Sequence, residues 1–219
     1  MIENLQKINL SESTELCEIM GIFGSDKGHK DIMSSWHNYT ILYHTLFKDI
    51  RNKNLNIFEL GLGSNNLNIP SNMGINGKPG ASLYGWAEYF KNSSIYGADI
   101  DKGILFNNNR IKTFYCDQTD KEIIKSMWDN EDLQINFDII IEDGLHEFNA
   151  NCCFFEHSIH KLNSGGFYII EDISKENLNL FNDKINEWKE KYKNFEFYLI
   201  SLFSNRNPYD NNLLLIKRN

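Results

Sequence analysis

From about residue 54 the chain alternates short, β-rich apolar runs with stretches whose apolar residues recur at helical spacing. The runs lie at 55–60, 94–99, 111–115, 137–142, 166–170, 195–200 and 213–216. Between the fourth and fifth, Phe148, Cys152, Phe155 and Ile159 form one stripe of an amphipathic helix over 147–162, which Gly165-Gly166 then breaks. Between the fifth and sixth, Leu178, Phe181, Ile185 and Trp188 form a second stripe. Strands that alternate with helices pair in parallel and are covered on both faces. Only the last two runs are joined by a short link, which predicts a terminal antiparallel hairpin. The expected fold is therefore α/β, a Rossmann-like, seven-stranded, mostly parallel sheet with helices on both faces.

Ahead of the sheet, 11–22 and 38–51 read as helices, joined by Gly24-Ser-Asp-Lys-Gly28 and the aromatic stretch Trp36-His-Asn-Tyr39. This leader, 1–53, is expected to cap a main unit of 54–219, the two forming one compact body. The connection 61–80, rich in Gly, Asn, Ser and Pro, far exceeds the 2–6 residues usual for such loops and reads as a lid. Trp86, Tyr89 and Phe90 read as helix packing.

Charge and cysteine usage narrow the partners. Thirty acidic against 22 basic residues leave a net charge of −8 with no basic stripe, so nucleic acid is not an expected partner. Four cysteines, Cys17, Cys116, Cys152 and Cys153, show neither zinc-knuckle spacing nor the density of a disulfide scaffold, which fits reduced thiols in the cytoplasm. The start lacks a signal-peptide core, and no apolar run approaches the roughly 20 residues a bilayer requires, so no membrane insertion is expected.

In an open parallel sheet, ligands bind beyond the carboxyl ends of the strands, so chemistry is sought there first. The first strand ends in Glu59-Leu-Gly-Leu-Gly63, where Gly61 and Gly63 let the backbone approach a ligand and Glu59, with them, is a cofactor-binding candidate. The second ends in Ala98-Asp-Ile-Asp101, where Asp99 suits the two hydroxyls of a ribose and Asp101 reads as a turn residue. The third ends in Cys116-Asp-Gln-Thr119, whose Asp117 and Gln118 suit an adenine edge. A dinucleotide would need a third glycine, an immediate helix N-terminus and an acidic residue about 20 positions on, whereas Asp99 follows Gly63 by 36. A phosphate-free nucleoside fits better, and S-adenosylmethionine is one whose sulfonium cation suits acidic strand ends.

The fourth strand ends in Glu142-Asp-Gly-Leu-His146 and the fifth in Ile170-Glu-Asp172. Were the two strands neighbours, about 4.8 Å apart, Asp143, Glu171 and Asp172 would converge and repel one another unless a cation sat among them. Oxygen ligands without Cys or paired His favour Mg²⁺, Mn²⁺ or Ca²⁺ over Zn²⁺, and a few carboxylates that leave open positions suit Mg²⁺. His146 stands three residues from Asp143 as a base for a hydroxyl acceptor. The plainer readings are a helix cap at Asp143 and a solvated strand end at Glu171-Asp172. His37, His44, His157 and His160 read as surface or satisfied core positions, with His37 beside the aromatic stretch.

These motifs, with Tyr39 to Tyr43, Gly80-Ala-Ser-Leu83 and Trp86, resemble the class I S-adenosylmethionine-dependent methyltransferases. Within that class the chain is similar to the metal-dependent sugar O-methyltransferases of macrolide glycosides, over residues 24–172. The resemblance implies a metal held by Asp143, Glu171 and Asp172, with His146 as the base. It further implies a cofactor gripped by Asp99, Asp117 and Gln118, with Ser25 and Lys27 lying over it or forming a plain turn. The chain also resembles methyltransferases encoded with capsular polysaccharide genes, which implies a carbohydrate, nucleotide-linked or phosphoramidate acceptor and is compatible with a homo-oligomer. It departs from the macrolide enzymes in Gly144-Leu145 before the histidine, and the long N-terminal domain of some members is not expected here. The rival readings are a nicotinamide-dependent nucleotide-sugar oxidoreductase and a non-catalytic module of the same fold.

Overall fold

Strand β1 (Asn56–Leu60) is almost wholly buried, as befits a strand with neighbours on both sides and helices on both faces. The computed structural model describes residues 9–31 and 35–219, so the first eight residues of the expected cap lie outside the described residues. Strands β2 (Ser94–Asp99) and β3 (Ile111–Tyr115) extend the sheet in parallel on one side of β1. Strands β4 (Phe137–Glu142) and β5 (Leu162–Ile170) extend it in parallel on the other. The last two strands, β6 (Phe195–Ser201) and β7 (Asn212–Arg218), form the expected antiparallel hairpin. It is β7 that inserts beside β5, leaving β6 at the edge in the order β3-β2-β1-β4-β5-β7-β6.

Alternation along the central strands sorts side chains to two cores. Ile57, Ile139, Ile141 and Ile169 pack against α1 (Glu15–Phe23), α2 (Tyr39–Phe47) and α3 (Ala81–Tyr89). Phe58, Ile140, Tyr168 and Ile170 pack against α4 (Lys121–Trp128), α5 (Phe148–Ser158) and α6 (Leu178–Lys191). The leader helices α1 and α2 thus help build the same apolar layer as α3, with Trp86, Tyr89 and Phe90 buried in it as the pattern predicts. The Thr14 hydroxyl accepts from the Cys17 N–H to start α1, and Gly24, at φ +87°, ends it.

Three boundaries differ from the sequence reading. Gly165 and Gly166 do not terminate the helix: β5 already begins at Leu162, and the pair sits inside it where the β4–β5 register shifts. Between the pairs Phe137–Leu162 and Ile139–Phe167 β5 carries three residues more than β4, so its backbone must bulge, and Gly165 does so at φ +80°. The predicted helix 38–51 stops as a regular helix at Phe47, and α1 starts at Glu15. Helix α4 is passed over in the sequence pattern because it is short and buries only Ile124, Met127 and Trp128. All four cysteines are free thiols. Among the described residues no helix is long and apolar enough to cross a membrane.

Candidate active site

The chain leaves β1 toward β2 on one side and returns through β4 on the other, so the order reverses at the β1–β4 seam and opens a crevice at the strand ends. Backbone pairing runs one residue past each strand there. The Gly61 N–H donates to the Ala98 carbonyl (2.8 Å), the Asp143 N–H to that of Leu60 (2.8 Å) and the Glu171 N–H to that of Glu142 (2.9 Å). These bonds hold Asp143 and Glu171 side by side. Gly61, at φ +89°, is required at the seam, since a Cβ there would lie 1.8 Å from the Asp143 carbonyl oxygen.

Above the seam lies a cavity of about 470 Å³, lined by Ser25, Gly61, Gly63, Asp99, Asp117, Gln118, Asp143, His146 and Asp172. That size suits a small-molecule site. The 61–80 connection covers one side through Ile69 to Met73, and the Ser71 hydroxyl donates to the Leu145 carbonyl (2.8 Å), tying this covering loop to the 143–146 turn. The Gly80 N–H donates to the Leu62 carbonyl (2.7 Å), so the start of α3 returns to the cavity wall despite the long loop.

On the β2–β3 side, Asp99 Oδ2 accepts from the Leu62 N–H (2.7 Å) and Oδ1 from the Asp101 N–H (2.8 Å). A carboxylate has about four acceptor positions, so capacity remains for a ligand. Burial raises the Asp99 pKa against these backbone hydrogen bonds. Asp117 folds back on the Thr119 N–H (2.9 Å) and hydroxyl (2.6 Å) at the cavity edge. The Gln118 side chain points another way from an adenine reader: its carbonyl accepts from the Leu145 N–H (2.6 Å) and its amide donates to Glu142 (3.3 Å). Glu142 itself is wholly buried and also accepts from Asn151 (2.7 Å) and Tyr168 (2.6 Å). Burial outweighs those hydrogen bonds and pushes its carboxyl up to about 8. Gln118 and Glu142 together brace the 143–146 turn from behind.

Glu59 corrects the sequence reading. It is absent from the cavity wall and fully buried, accepting from the Ser82 hydroxyl (2.6 Å) and the Trp86 indole N–H, so it anchors α3 instead of meeting a ligand. Ser25 lines the cavity, its hydroxyl accepting from the Lys27 N–H (3.3 Å).

On the β4–β5 side, His146 stands between two carboxylates. Its Nε2 is 3.1 Å from Asp143 Oδ1 and its Nδ1 is 3.6 Å from Asp172 Oδ2. One ligand atom each from Asp143, His146 and Asp172 fall within 4.8 Å of one another. Burial disfavours the imidazolium, yet Asp172 and Asp143 push His146 up to about 9. Both His146 (φ 62°) and Asp172 (φ 54°) hold left-handed backbone conformations, which cost of order 1–3 kcal/mol each and concentrate at functional sites. Glu171 lies one step deeper and does not reach the cavity wall.

Between Asp143 and Glu171 lies the ammonium of Lys27, which donates to both and stands 3.5 Å from Glu59. Burial opposes its charge, but Asp143, Glu171 and Glu59 hold its pKa well above the ordinary lysine value. Asp143 is correspondingly held well below the usual carboxylate range, its burial outweighed by Lys27 and His146. Burial raises Glu171 well above that range. Helix α2 adds two phenols: Tyr39 donates to Asp172 Oδ1 (2.7 Å) and Tyr43 to Glu171. His37, buried and stacked on Tyr39 with ring centres 4.8 Å apart, places Nδ1 3.5 Å from the same Asp172 oxygen. The sequence reading gave no site role to His37, Tyr39 or Tyr43. Their signal was the i, i+4 pair of tyrosines, whose hydroxyls need partners once buried.

A seven-stranded sheet in this order, with a glycine turn after β1 and acidic ends on β2, β4 and β5, is the class I methyltransferase fold. No family model matches the chain. In sequence it is similar to sugar O-methyltransferases. It is 29% identical over 156 residues to the 8-demethyl-8-alpha-L-rhamnosyl tetracenomycin-C 2'-O-methyltransferase of Streptomyces olivaceus, covering 71% of this chain and 38% of that protein. It is 32% identical over 142 residues to the mycinamicin VI 2''-O-methyltransferase of Micromonospora griseorubida, covering 63% and 32%. The chain thus matches about a third of the length of these curated relatives. Among solved structures it is similar to the methyltransferase MycE of the mycinamycin pathway in complex with Mg, SAH and mycinamycin VI. The TM-score is 0.70 at 23% identity, over 95% of this chain and 55% of that one. An O-methyltransferase from Bacillus cereus in complex with SAH has a TM-score of 0.57 at 13% identity, over 81% and 79%.

Proposed function

We propose that this chain is an S-adenosylmethionine-dependent O-methyltransferase, assisted by Mg²⁺ or Mn²⁺, that methylates a hydroxyl of a sugar or sugar-linked small molecule. The observation that carries the reading is the meeting of Asp143, His146 and Asp172 in a cavity that Gly61, Gly63 and Asp99 also line. The first group suits an acid–base reaction and the second a nucleoside.

Asp99 would take the ribose hydroxyls with its remaining acceptor capacity, and Asp117 and Gln118 would border the base. The backbone at the start of α3, which lines the cavity, suits the carboxylate of an amino-acid moiety. Acidic side chains around the cavity suit a sulfonium cation.

The donor set fits a divalent ion. Two cavity-lining carboxylates and an imidazole lie within ligand reach of one another, and a lysine ammonium already serves as the cation between Asp143 and the third carboxylate, Glu171. Asp143 and Asp172, with Glu171 behind them, would hold the ion, whose charge makes an adjacent hydroxyl more acidic. His146 in its neutral form would accept the hydroxyl proton: Asp143 and Asp172 favour the imidazolium, and the positive ion beside it would favour the neutral ring, while S-adenosylmethionine would supply the methyl group to the oxygen. Tyr39 and His37 fix Asp172, while Gln118 fixes the turn that presents His146.

The printed substrates of the relatives, rhamnosyl tetracenomycin and mycinamicin, are antibiotic glycosides and support a sugar hydroxyl as acceptor. They lend no support to a capsular sugar or a phosphoramidate in particular. The test is incubation with methyl-labelled S-adenosylmethionine, Mg²⁺ and a panel of free, nucleotide-linked and aglycone-linked sugars. Label in a sugar methyl ether is expected. Label confined to a nitrogen or carbon acceptor would overturn the reading.

A further inference from the structure

The cation between Asp143 and Glu171 comes from the leader segment, not from the sheet. The Thr40 N–H donates to the Lys27 carbonyl (3.2 Å) and the His37 N–H to that of Asp26 (3.2 Å), pinning 26–27 onto the start of α2. Gly28 permits the approach, since a Cβ there would lie 1.9 Å from the Thr40 hydroxyl oxygen. From this anchor the Lys27 side chain, 3% exposed, reaches inward until its ammonium faces Asp143 Oδ2, Glu171 Oε2 and Glu59 Oε1. The ammonium thus donates to two carboxylates and stands 3.5 Å from the third.

Asp143 is divided between two partners. Its Oδ2 faces Lys27 on the inner side, and its Oδ1 faces His146 on the cavity side. Glu171 has Tyr43 on one oxygen and Lys27 on the other. A divalent ion that used Asp143 and Glu171 together would need the place the ammonium holds. An ion that used only Asp143 Oδ1 and Asp172 would still sit across one carboxylate from a fixed positive charge.

We propose that Lys27 is an internal competitor for the divalent ion, holding the Asp143–Glu171 pair until the ion displaces its ammonium. This rests on the reading above that a divalent ion binds this cluster. Lys27 then sets how tightly the ion is held, because the apparent affinity falls with the fraction of molecules whose carboxylates are free. It also couples the ion to the leader, since an ammonium that leaves the pair pulls on the 24–28 segment.

The test is titration of Mn²⁺, followed by its electron paramagnetic resonance signal, into the wild type, Lys27→Met, Lys27→Arg and Lys27→Met/Glu171→Gln. Lys27→Met is expected to bind Mn²⁺ roughly tenfold tighter or more, as removal of a dominant competitor requires. Lys27→Arg should stay near the wild type, and the gain should vanish in the double variant. Equal or weaker binding by a folded Lys27→Met, or a gain that survives Glu171→Gln, would overturn the proposal. Lys27→Met leaves buried carboxylates unpaired, so it is also followed by circular dichroism. If it is unfolded without metal, Mn²⁺ should restore the native spectrum, and failure to do so overturns the proposal. Mn²⁺ binding by the wild type without a gain in Lys27→Met sinks this inference alone. No binding by any folded variant sinks the divalent-ion reading with it.

Discussion

His146 carries the heaviest burden of any single residue. It lies between Asp143 and Asp172, lines the cavity and holds a backbone conformation unusual for a residue with a Cβ. Replacement by alanine is expected to lower methyl transfer by roughly 10²–10⁴-fold, the usual contribution of a general base, and to leave S-adenosylmethionine affinity nearly unchanged. Turnover and calorimetry on the same preparation check both parts, and near-normal turnover would remove His146 from the role. At the same scale, burial pushes Cys116 above the ordinary thiol value and Cys152 up to about 12. A raised pKa keeps the unreactive thiol form across neutral pH and yields thiolate only as the pH climbs toward that value. Iodoacetamide mapping by mass spectrometry is therefore expected to leave both unlabelled at neutral pH, and rapid labelling in the native state would contradict it. Asp143, His146 and Asp172 were legible in the sequence because each follows a recognisable strand. The Lys27 ammonium was not, because its partners lie 116 and 144 positions away and nothing local in Gly24-Ser-Asp-Lys-Gly28 distinguishes a buried cation from a turn.

Among the elements, α3 links the core to the cavity. Trp86 is fully buried against Tyr43 and Phe90, and its indole N–H donates to Glu59 beneath the glycine turn. Replacing it with alanine is expected to cost about 3–5 kcal/mol, from lost burial and the cavity left behind. It also removes one donor from a buried carboxylate. Urea denaturation measures the loss, and a change under about 1 kcal/mol would show that α3 is not held as described. The pattern of apolar positions foresaw seven strands, the terminal hairpin and the helices on either side of β5, since each is long or strongly periodic. It misplaced the start of β5, because a glycine pair reads as a breaker when the partner strand that accepts the bulge is not visible. Glu59 was misread for a related reason. A strand-end carboxylate looks like a ligand contact until α3 is seen to supply both its donors.

Across the whole molecule, one sheet brings two chemistries to adjacent strand ends. The β1–β2–β3 half offers Gly61, Gly63 and Asp99, and the β4–β5 half offers Asp143, His146 and Asp172, with the covering loop and leader closing over both. The net charge of −8 and the acidic cavity favour a cationic cofactor and disfavour a pyrophosphate. A dinucleotide would want a helix N-terminus directly after β1, whereas α3 begins only at Ala81. The most direct measurement is calorimetric titration of S-adenosylmethionine and, separately, NAD⁺ into the full chain with Mg²⁺ present. Saturable binding of S-adenosylmethionine at one site per chain, with no heat from NAD⁺, is the expected result. Saturable binding of NAD⁺ with S-adenosylmethionine silent would contradict it.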